Sequence, residues 1–401
     1  MKVLMIAPQP FFTPRGTPFS VYYRALVMSE MGIEIDLLTY GEGQDIDLSG
    51  VTTYRIPRFA KLGQVKIGPS KLKLFLDFFL IAWTIKLLVK KKYHLVHAHE
   101  EAVFFCRYLK PLFRFRLIYD MHSSLPQQLR NFRFTTSKTL IKIFKCLEDT
   151  SLKASDAIIT ICPDLADYVE SNLIDKSKHT LIENSIFEAV RLKPEKINND
   201  FIEDHKELIE LVKHKKEKEE IVIYSGTLEA YQGIDILLAS FKKVIHKRPN
   251  TMLIVVGGTS QQVQQYQNLS KYIGIDQSVI FTGRVPQSTA QNLSKLAKVQ
   301  VSPRSTGTNT PLKIYEQLAS GIPLVATNIY SHTQALNSEV AFLVNPEPDD
   351  MARGILEALS TKQLSDQKVS AAKSLYDEKY SRPVYEYKLL KVIQKAWEKS
   401  L

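Results

Sequence analysis

GTNTPLKIYEQLASGIPLVAT, residues 307–327, is the stretch that decides the fold. It reads as a Gly/Thr/Asn loop, a short helix, a glycine turn and a strand. Thr310 suits an N-cap, and Pro311 suits the first helical position, where a missing N–H costs nothing. Gly321 ends the helix, and residues 322–326 form an apolar run of buried-strand type. The loop holds Gly307, Thr308, Asn309, Thr310, Pro311 and Leu312. A helix opening behind such small residues is an anion site, because free backbone N–H groups and the helix dipole both face the loop. Lys313 and Glu316 lie three apart and share one helix face. A cation beside the loop and a carboxylate one turn deeper match a nucleoside diphosphate: the lysine grips phosphate and the carboxylate accepts from two ribose hydroxyls. The alternative is an intrahelical Lys–Glu pair on a solvated face.

Working outward, strand-like and helix-like runs alternate from end to end. In the first half, strands are predicted at 3–6, 33–39, 51–55, 95–98, 117–119, 157–160 and 180–182, with helices at 17–31, 71–92 and 163–172 among those between them. A second series places strands at 221–225, 252–256, 279–281, 300–302, 323–326 and 342–344, and a long helix spans 382–399. Such alternation argues for an α/β protein with two doubly wound parallel sheets. Residues 191–220 are charged and poor in apolar side chains, and are expected to be a linker with some helix between a first domain (1–190) and a second (221–381). Open α/β sheets hold ligands at the carboxyl ends of their strands.

Composition is that of a globular protein, 44% hydrophobic over 401 residues. Three cysteines, Cys106, Cys146 and Cys162, are odd in number and lack metal-ligand spacing, which points to a reducing compartment and buried thiols. The first ten residues hold too short an apolar run for a signal-peptide core and fit a first strand. Net charge is +11 but uneven. Between positions 55 and 146 stand 19 Lys and Arg against four acids (Asp77, Glu100, Glu101, Asp120), a local +15 that leaves −4 elsewhere. That clustering suggests an anionic partner: a membrane surface, lipid phosphate or nucleic acid. Residues 71–92, KLKLFLDFFLIAWTIKLLVKKK, cannot span a bilayer, since Asp77 and Lys86 leave only 78–85 uninterrupted. A buried core helix is the first reading and an interfacial helix with lysines reaching headgroups the second.

Four loops carry chemistry. Gly16 and Thr17, after the first strand, would present backbone N–H groups, although the dinucleotide pattern of three spaced glycines is absent. His97, His99, Glu100 and Glu101 end another strand. Two histidines two apart at a strand end are expected to point apart, which disfavours a metal. His122 follows the strand 117–119 directly, and Asp120 is placed to orient its ring. Residues 223–241 hold Gly226, Thr227, Gln232 and Gly233 in a strand-to-helix loop.

The 307–327 stretch resembles the donor-site motif of glycosyltransferase family 4, the retaining GT-B enzymes, and the resemblance extends over almost the whole chain. It implies two Rossmann-like domains facing across a cleft, with the final helix, 382–401, crossing back to the first. It gives Glu316 the ribose, Gly16 and Thr17 an approach to the donor phosphates, and Arg284 and Val285 the nucleobase. It places His122 against the donor sugar, where a neutral imidazole would hydrogen-bond a hydroxyl, and His99, Glu100 and Asp120 on the acceptor side. Three positions depart from the pattern: Thr308 stands where the first glutamate of the motif is usual, and Thr227 and Gln232 replace the Arg and Lys that hold the diphosphate. Arg304 and Lys313 are the best substitutes, with Arg15 a further cation. The implied activity is retaining transfer of a hexose-type sugar from a nucleoside diphosphate sugar, UDP-linked by preference, to a hydroxyl of a lipid-linked or cell-surface glycan. It would use front-face attack and no metal or other cofactor. Expected partners are the sugar nucleotide, the acceptor and a membrane surface, with no nucleic acid; the expected location is cytoplasmic, peripheral on the inner membrane face. The alternative is a non-catalytic nucleotide-binding or partner subunit of the same fold. An epimerase would want several acid–base carboxylates, and a nicotinamide dehydrogenase the missing glycine fingerprint.

Overall fold

In a computed structural model, residues 1–14, 16–59, 63, 65, 70–124, 137–193 and 200–398 are described. The first sheet runs β1 (Lys2–Ala7), β2 (Glu34–Thr39), β3 (Val51–Arg55), β4 (Leu95–His99), β5 (Arg116–Met121), β6 (Ala157–Thr160) and β7 (His179–Leu181). Its spatial order is β3-β2-β1-β4-β5-β6-β7, and every pairing is parallel. Helices α1 (Gly16–Glu30), α2 (Lys71–Lys90), α3 (Ala102–Phe113), α4 (Lys138–Ala154) and α5 (Pro163–Asn172) connect the strands. The strands are apolar runs because both faces of a doubly wound sheet are covered, and β4 is buried throughout.

The second sheet follows the same logic. Helix α6 (Asp200–Lys216) leads into β8 (Glu220–Ser225), α7 (Ile234–Lys247), β9 (Thr251–Val256), α8 (Ser260–Ile273), β10 (Val279–Gly283), α9 (Gln287–Ser294) and β11 (Val299–Ser302). Then come α10 (Lys313–Ala319), β12 (Leu324–Thr327), α11 (Tyr330–Thr333), β13 (Phe342–Val344), α12 (Pro348–Ser360), α13 (Lys362–Lys379) and α14 (Arg382–Glu398). The order is β10-β9-β8-β11-β12-β13, all parallel. The chain divides into two units, one of residues 1–184, 190–193 and 382–401, the other of 185–189 and 194–381.

All thirteen predicted strands are present, with ends shifted by a residue or two. The segment 191–220, read as a linker with some helix, holds helix α6. Within it α6 packs on the second sheet, and Val212 is fully buried with Ile221, Ile223 and Met252. Leu208, Ile209 and Val212 serve that one contact, so low apolar content does not make the segment a mere connector. Cys106 and Cys162 are buried as expected, but Cys146 on α4 is exposed. In both sheets the strand order reverses once, between β1 and β4 and between β8 and β11. These are the switch points where α/β folds bind ligands.

Candidate functional site

At the second sheet's switch point the loops after β8 and β11 are locked together. Gly233 has φ +70°, and a Cβ there would fall 2.0 Å from the Pro303 carbonyl oxygen. Ser305 N–H donates to the Tyr231 carbonyl at 2.9 Å. Arg304 braces its own loop: Nε donates to the Thr306 carbonyl at 2.8 Å and Nη1 to the Asn309 carbonyl at 3.3 Å. Its guanidinium lies over the Tyr231 ring, 5.1 Å from the centroid. Gly307, φ +144°, leaves the space the guanidinium fills. Below, His332 bridges Ser302 Oγ at 3.0 Å and the Thr327 carbonyl at 2.8 Å, and Thr327 Oγ1 donates to the Arg304 carbonyl. Burial pushes the His332 imidazole down to about 3, so it is a neutral strut.

Helix α10 starts later than its sequence suggested. Leu312 takes the cap position and Lys313 opens the helix. Ile314 N–H reaches the Pro311 carbonyl at 3.0 Å, so a tight turn precedes the helix and Thr310 caps nothing. The Thr310 hydroxyl is buried without a hydrogen-bond partner among the described residues.

Lys313 and Glu316 share a face, yet no ion pair joins them among the described residues, and the solvated-pair alternative is overturned. Lys313 Nζ is withdrawn from water, has no hydrogen-bond partner among the described residues, and sits 4.1 Å from the centroid of the Tyr224 ring. Burial, with Arg304 nearby, pushes the ammonium down to about 7. Glu316 Oε1 accepts from Gln291 Nε2 at 2.8 Å, and burial raises its carboxyl above the ordinary range, Gln291 opposing. Around this pair the backbone is close-packed: Tyr224 Oη donates to the Thr227 carbonyl at 2.6 Å, and Gln232 Nε2 to Thr227 Oγ1 at 3.4 Å. Gln334 Nε2 donates to the Thr308 carbonyl. Arg284 is exposed after β10, and Val285 is part-buried against the core. The second unit thus brings Gly226, Thr227, Gln232, Arg304, residues 307–312, Lys313 and Glu316 to one end of its sheet.

The first unit carries a different constellation. Gly16 opens α1 with no atom within 4 Å of a Cβ added there; Arg15 lies outside the described residues. In the register of β4 on β5, His99 stands beside Asp120. Asp120 Oδ2 accepts from Arg24 Nε at 2.9 Å and lies 3.0 Å from His97 Nε2 and 3.7 Å from His99 Nδ1; Oδ1 is 3.3 Å from His122 Nε2. His99 Nδ1 and His122 Nε2 are 3.0 Å apart. Burial works to raise the Asp120 carboxyl, and the Arg24 guanidinium with the histidines outweighs it, holding the group well below the carboxylate range. Burial lowers both His97 and His99.

Two readings are corrected here. His97 and His99 do not point apart: their rings stack at 4.6 Å with 8° between planes, because residues two apart on a strand share a face. Asp120 and His99 offer no exposed surface to an acceptor, since both are fully buried in this cluster, where His99 Nε2 has no hydrogen-bond partner among the described residues. Glu100, with φ +50°, stays partly accessible at the strand end, its carboxylate accepting from Ser123 Oγ at 2.9 Å, and burial raises it to about 7. His97, His99 and Asp120 stand close enough to share an ion. Arg24 Nε lies 2.9 Å from Asp120 Oδ2, and its guanidinium would repel a cation placed there.

Two family models match consecutive parts of the chain: "Glycosyltransferase Family 4" over residues 14–187 and "Glycosyl transferases group 1" over 206–375. Among curated proteins, a putative glycosyltransferase, YtcC, of Bacillus subtilis is 26% identical over 39% of this chain and 40% of its own length. The alpha-monoglucosyldiacylglycerol synthase of Streptococcus pneumoniae is 29% identical over 42% of this chain and 38% of its own. The matched region thus spans about two fifths of these relatives. Among solved structures, sucrose-phosphate synthase from Thermosynechococcus elongatus superposes with a TM-score of 0.73 at 17% identity, covering 100% of both chains. HepE of Anabaena, in complex with UDP and glucose, gives 0.68 at 15%, again covering 100% of both. WaaG, a glycosyltransferase involved in lipopolysaccharide biosynthesis, gives 0.65 at 14%, covering 96% of this chain and 98% of its own. With two parallel α/β sheets and both family models matched in order, the chain belongs to the group 1 and family 4 glycosyltransferases and has their GT-B fold.

Proposed function

We propose that this chain transfers a hexose-type sugar, with retention, from a nucleoside diphosphate sugar to an acceptor hydroxyl on a lipid-linked or cell-surface glycan. One observation carries the reading: a lysine ammonium withdrawn from water over the Tyr224 ring, without a hydrogen-bond partner among the described residues, at a sheet switch point, with a part-buried carboxylate three residues on. A diphosphate satisfies the first group and a ribose the second. UDP is favoured because HepE, of the same fold, binds UDP and glucose. A lipid-linked acceptor is favoured because the pneumococcal relative is a diacylglycerol glycolipid synthase by name.

In this reading Lys313 is the charge that meets the leaving diphosphate, and Arg304 holds the loop carbonyls back so that backbone N–H groups of 307–310 and 312 face the phosphates. Thr227 and Gln232 add hydroxyl and amide dipoles. Arg284 and Val285 meet the base, Gly16 and Thr17 the phosphates, and His122 a sugar hydroxyl. The fixed cations replace a metal.

A thermal-shift panel with UDP, GDP, ADP, CMP and TDP on wild type and Glu316→Ala tests the donor site. At about 100 times its dissociation constant a ligand stabilises by roughly 2.7 kcal/mol. A shift with one nucleotide, reduced in the variant, supports the reading. Silence across the panel overturns it in favour of a non-catalytic subunit, which the neutral residues Thr227, Gln232 and Thr308 would then explain.

A further inference from the structure

Helix α2 is apolar on two opposite faces, and among the described residues only one is buried in the first unit's core, while on the other the Phe75 ring alone packs edge-on against Phe59. Leu76, Leu80, Leu87 and Leu88 are buried in the first unit's core. Leu74, Phe78 and Val89 are 61%, 69% and 71% exposed, and Phe75 and Ile85 are also exposed. At 3.6 residues per turn these five fall within an arc of about 100°, centred opposite the buried one. A surface helix normally turns polar residues there, so this stripe is a departure with no account in the fold. Neighbouring α3 adds Tyr108 and Leu112, both well exposed.

The charges around the stripe have one sign. Lys71, Lys86, Lys90 and Lys92 are exposed. Lys86 Nζ lies 5.1 Å from the centroid of the Trp83 ring, its stem along apolar surface and its charge outward. The helix has a single acid, Asp77, and it faces inward, accepting from Tyr40 Oη at 2.6 Å. Among the described residues no helix is long and apolar enough to cross a membrane.

We propose that this outward face of α2 is a docking surface for an anionic lipid bilayer, the side chains of Leu74, Phe78 and Val89 entering the headgroup–acyl boundary while the lysines meet lipid phosphate. An apolar stripe one helix wide, rimmed by lysines, is the geometry of an interfacial helix. A second copy of the chain fits worse, because an isologous contact would set the lysines of one α2 against those of the other. An acidic protein would match the charges, but five exposed aliphatic and aromatic side chains in one continuous stripe suit a fluid apolar phase better. The surface deepens the reading of a lipid-linked acceptor, yet uses no residue of the donor site.

The test is co-sedimentation with vesicles of phosphatidylcholine and phosphatidylglycerol in roughly a 7:3 ratio, against pure phosphatidylcholine, at low and high salt. Wild type should bind the anionic vesicles at least tenfold more tightly and lose that preference in high salt. Phe78→Ser with Val89→Ser should cut binding at least tenfold, and Lys86→Gln about fivefold. Unchanged nucleotide-induced thermal shifts in these variants show that the chain is folded and that the donor site stands independently. Equal binding of both vesicle types, or full binding by the Phe78/Val89 variant, overturns the proposal. So does a wild-type dimer that the same variant converts to monomer, which would make the stripe an interface between copies.

Discussion

Lys313 answers two opposed demands. A diphosphate wants an unshared cation; a folded domain does not want a charge withdrawn from water without a partner. Under the proposed donor role, folding carries that cost until ligand arrives, and the sign of the cost can be checked. The ammonium stands at about 7 in the folded chain against 10.5 ordinarily. Below about pH 7 both states hold the proton and the penalty is complete. From about 7 toward 10.5 the native lysine releases a proton the unfolded chain keeps, so stability rises with pH across that window. Lys313→Met should therefore raise the melting temperature of the unliganded protein by roughly 2–4 °C at neutral pH while weakening nucleotide binding at least tenfold. A calorimetric scan paired with titration calorimetry checks both signs; a variant that loses stability as well as affinity would make Lys313 a structural residue. In the wild type, affinity for a nucleoside diphosphate should fall by up to about tenfold per pH unit above the lysine's midpoint. Asp120 poses the contrasting case, a buried carboxylate with every neighbour arranged to neutralise it. Asp120→Asn leaves Arg24 buried without its counter-charge and should cost about 3–5 kcal/mol in denaturant unfolding.

At the scale of elements, two glycines separate packing from ligand approach. Gly233 is held by a positive φ and by the Pro303 carbonyl, so Gly233→Ala must push the β8 and β11 loops apart. It should cost at least about 1–3 kcal/mol and reduce nucleotide binding with it. Gly16 has neither constraint, since a methyl there meets nothing within 4 Å. Gly16→Ala should leave the melting temperature unchanged, and a raised KM for the sugar nucleotide would then report backbone approach to phosphate. Equal activity would show that the residue after β1 is turn chemistry alone. The elements themselves were legible because periodicity is a local property: all thirteen strands and the helices α1, α2 and α5 could be read from it. What was not legible was relational. Arg24 lies in the middle of an apolar helix, and only the pairing of β4 with β5 explains why a buried guanidinium is tolerated there. Gln291, holding Glu316, and His332, propping the 303–312 loop, gave no motif, because each matters through a neighbour distant in sequence. The stacking of His97 on His99 was available from strand alternation alone.

At the scale of the whole chain, the first unit is discontinuous. Its last helix, α14, arrives after the entire second sheet, and Leu389, Val392 and Ala396 bury against the first unit. Lys395 Nζ donates to Thr180 Oγ1 at 3.1 Å, Lys388 pairs with Glu183 at 2.8 Å, and the Arg24 guanidinium lies 4.8 Å from the centroid of the Tyr385 ring. A chain ending at Ser381 retains every strand of both sheets, yet should lose the first unit's cooperative unfolding while keeping the second's, with its nucleotide-dependent shift. Two-transition calorimetry decides this, and an unaltered first transition would reduce α14 to decoration. The same discontinuity bears on how the protein is made. On a ribosome adding about 5–20 residues per second, the strands β1 to β7 emerge and then wait, on the order of ten seconds or more, for the helix that covers Arg24 and its neighbours. The second unit, whose elements are nearly contiguous, can fold in that interval. The half of the chain synthesised first is thus finished last, and a nascent chain stalled anywhere in the second unit displays an open apolar sheet face to whatever chaperone or protease reaches it.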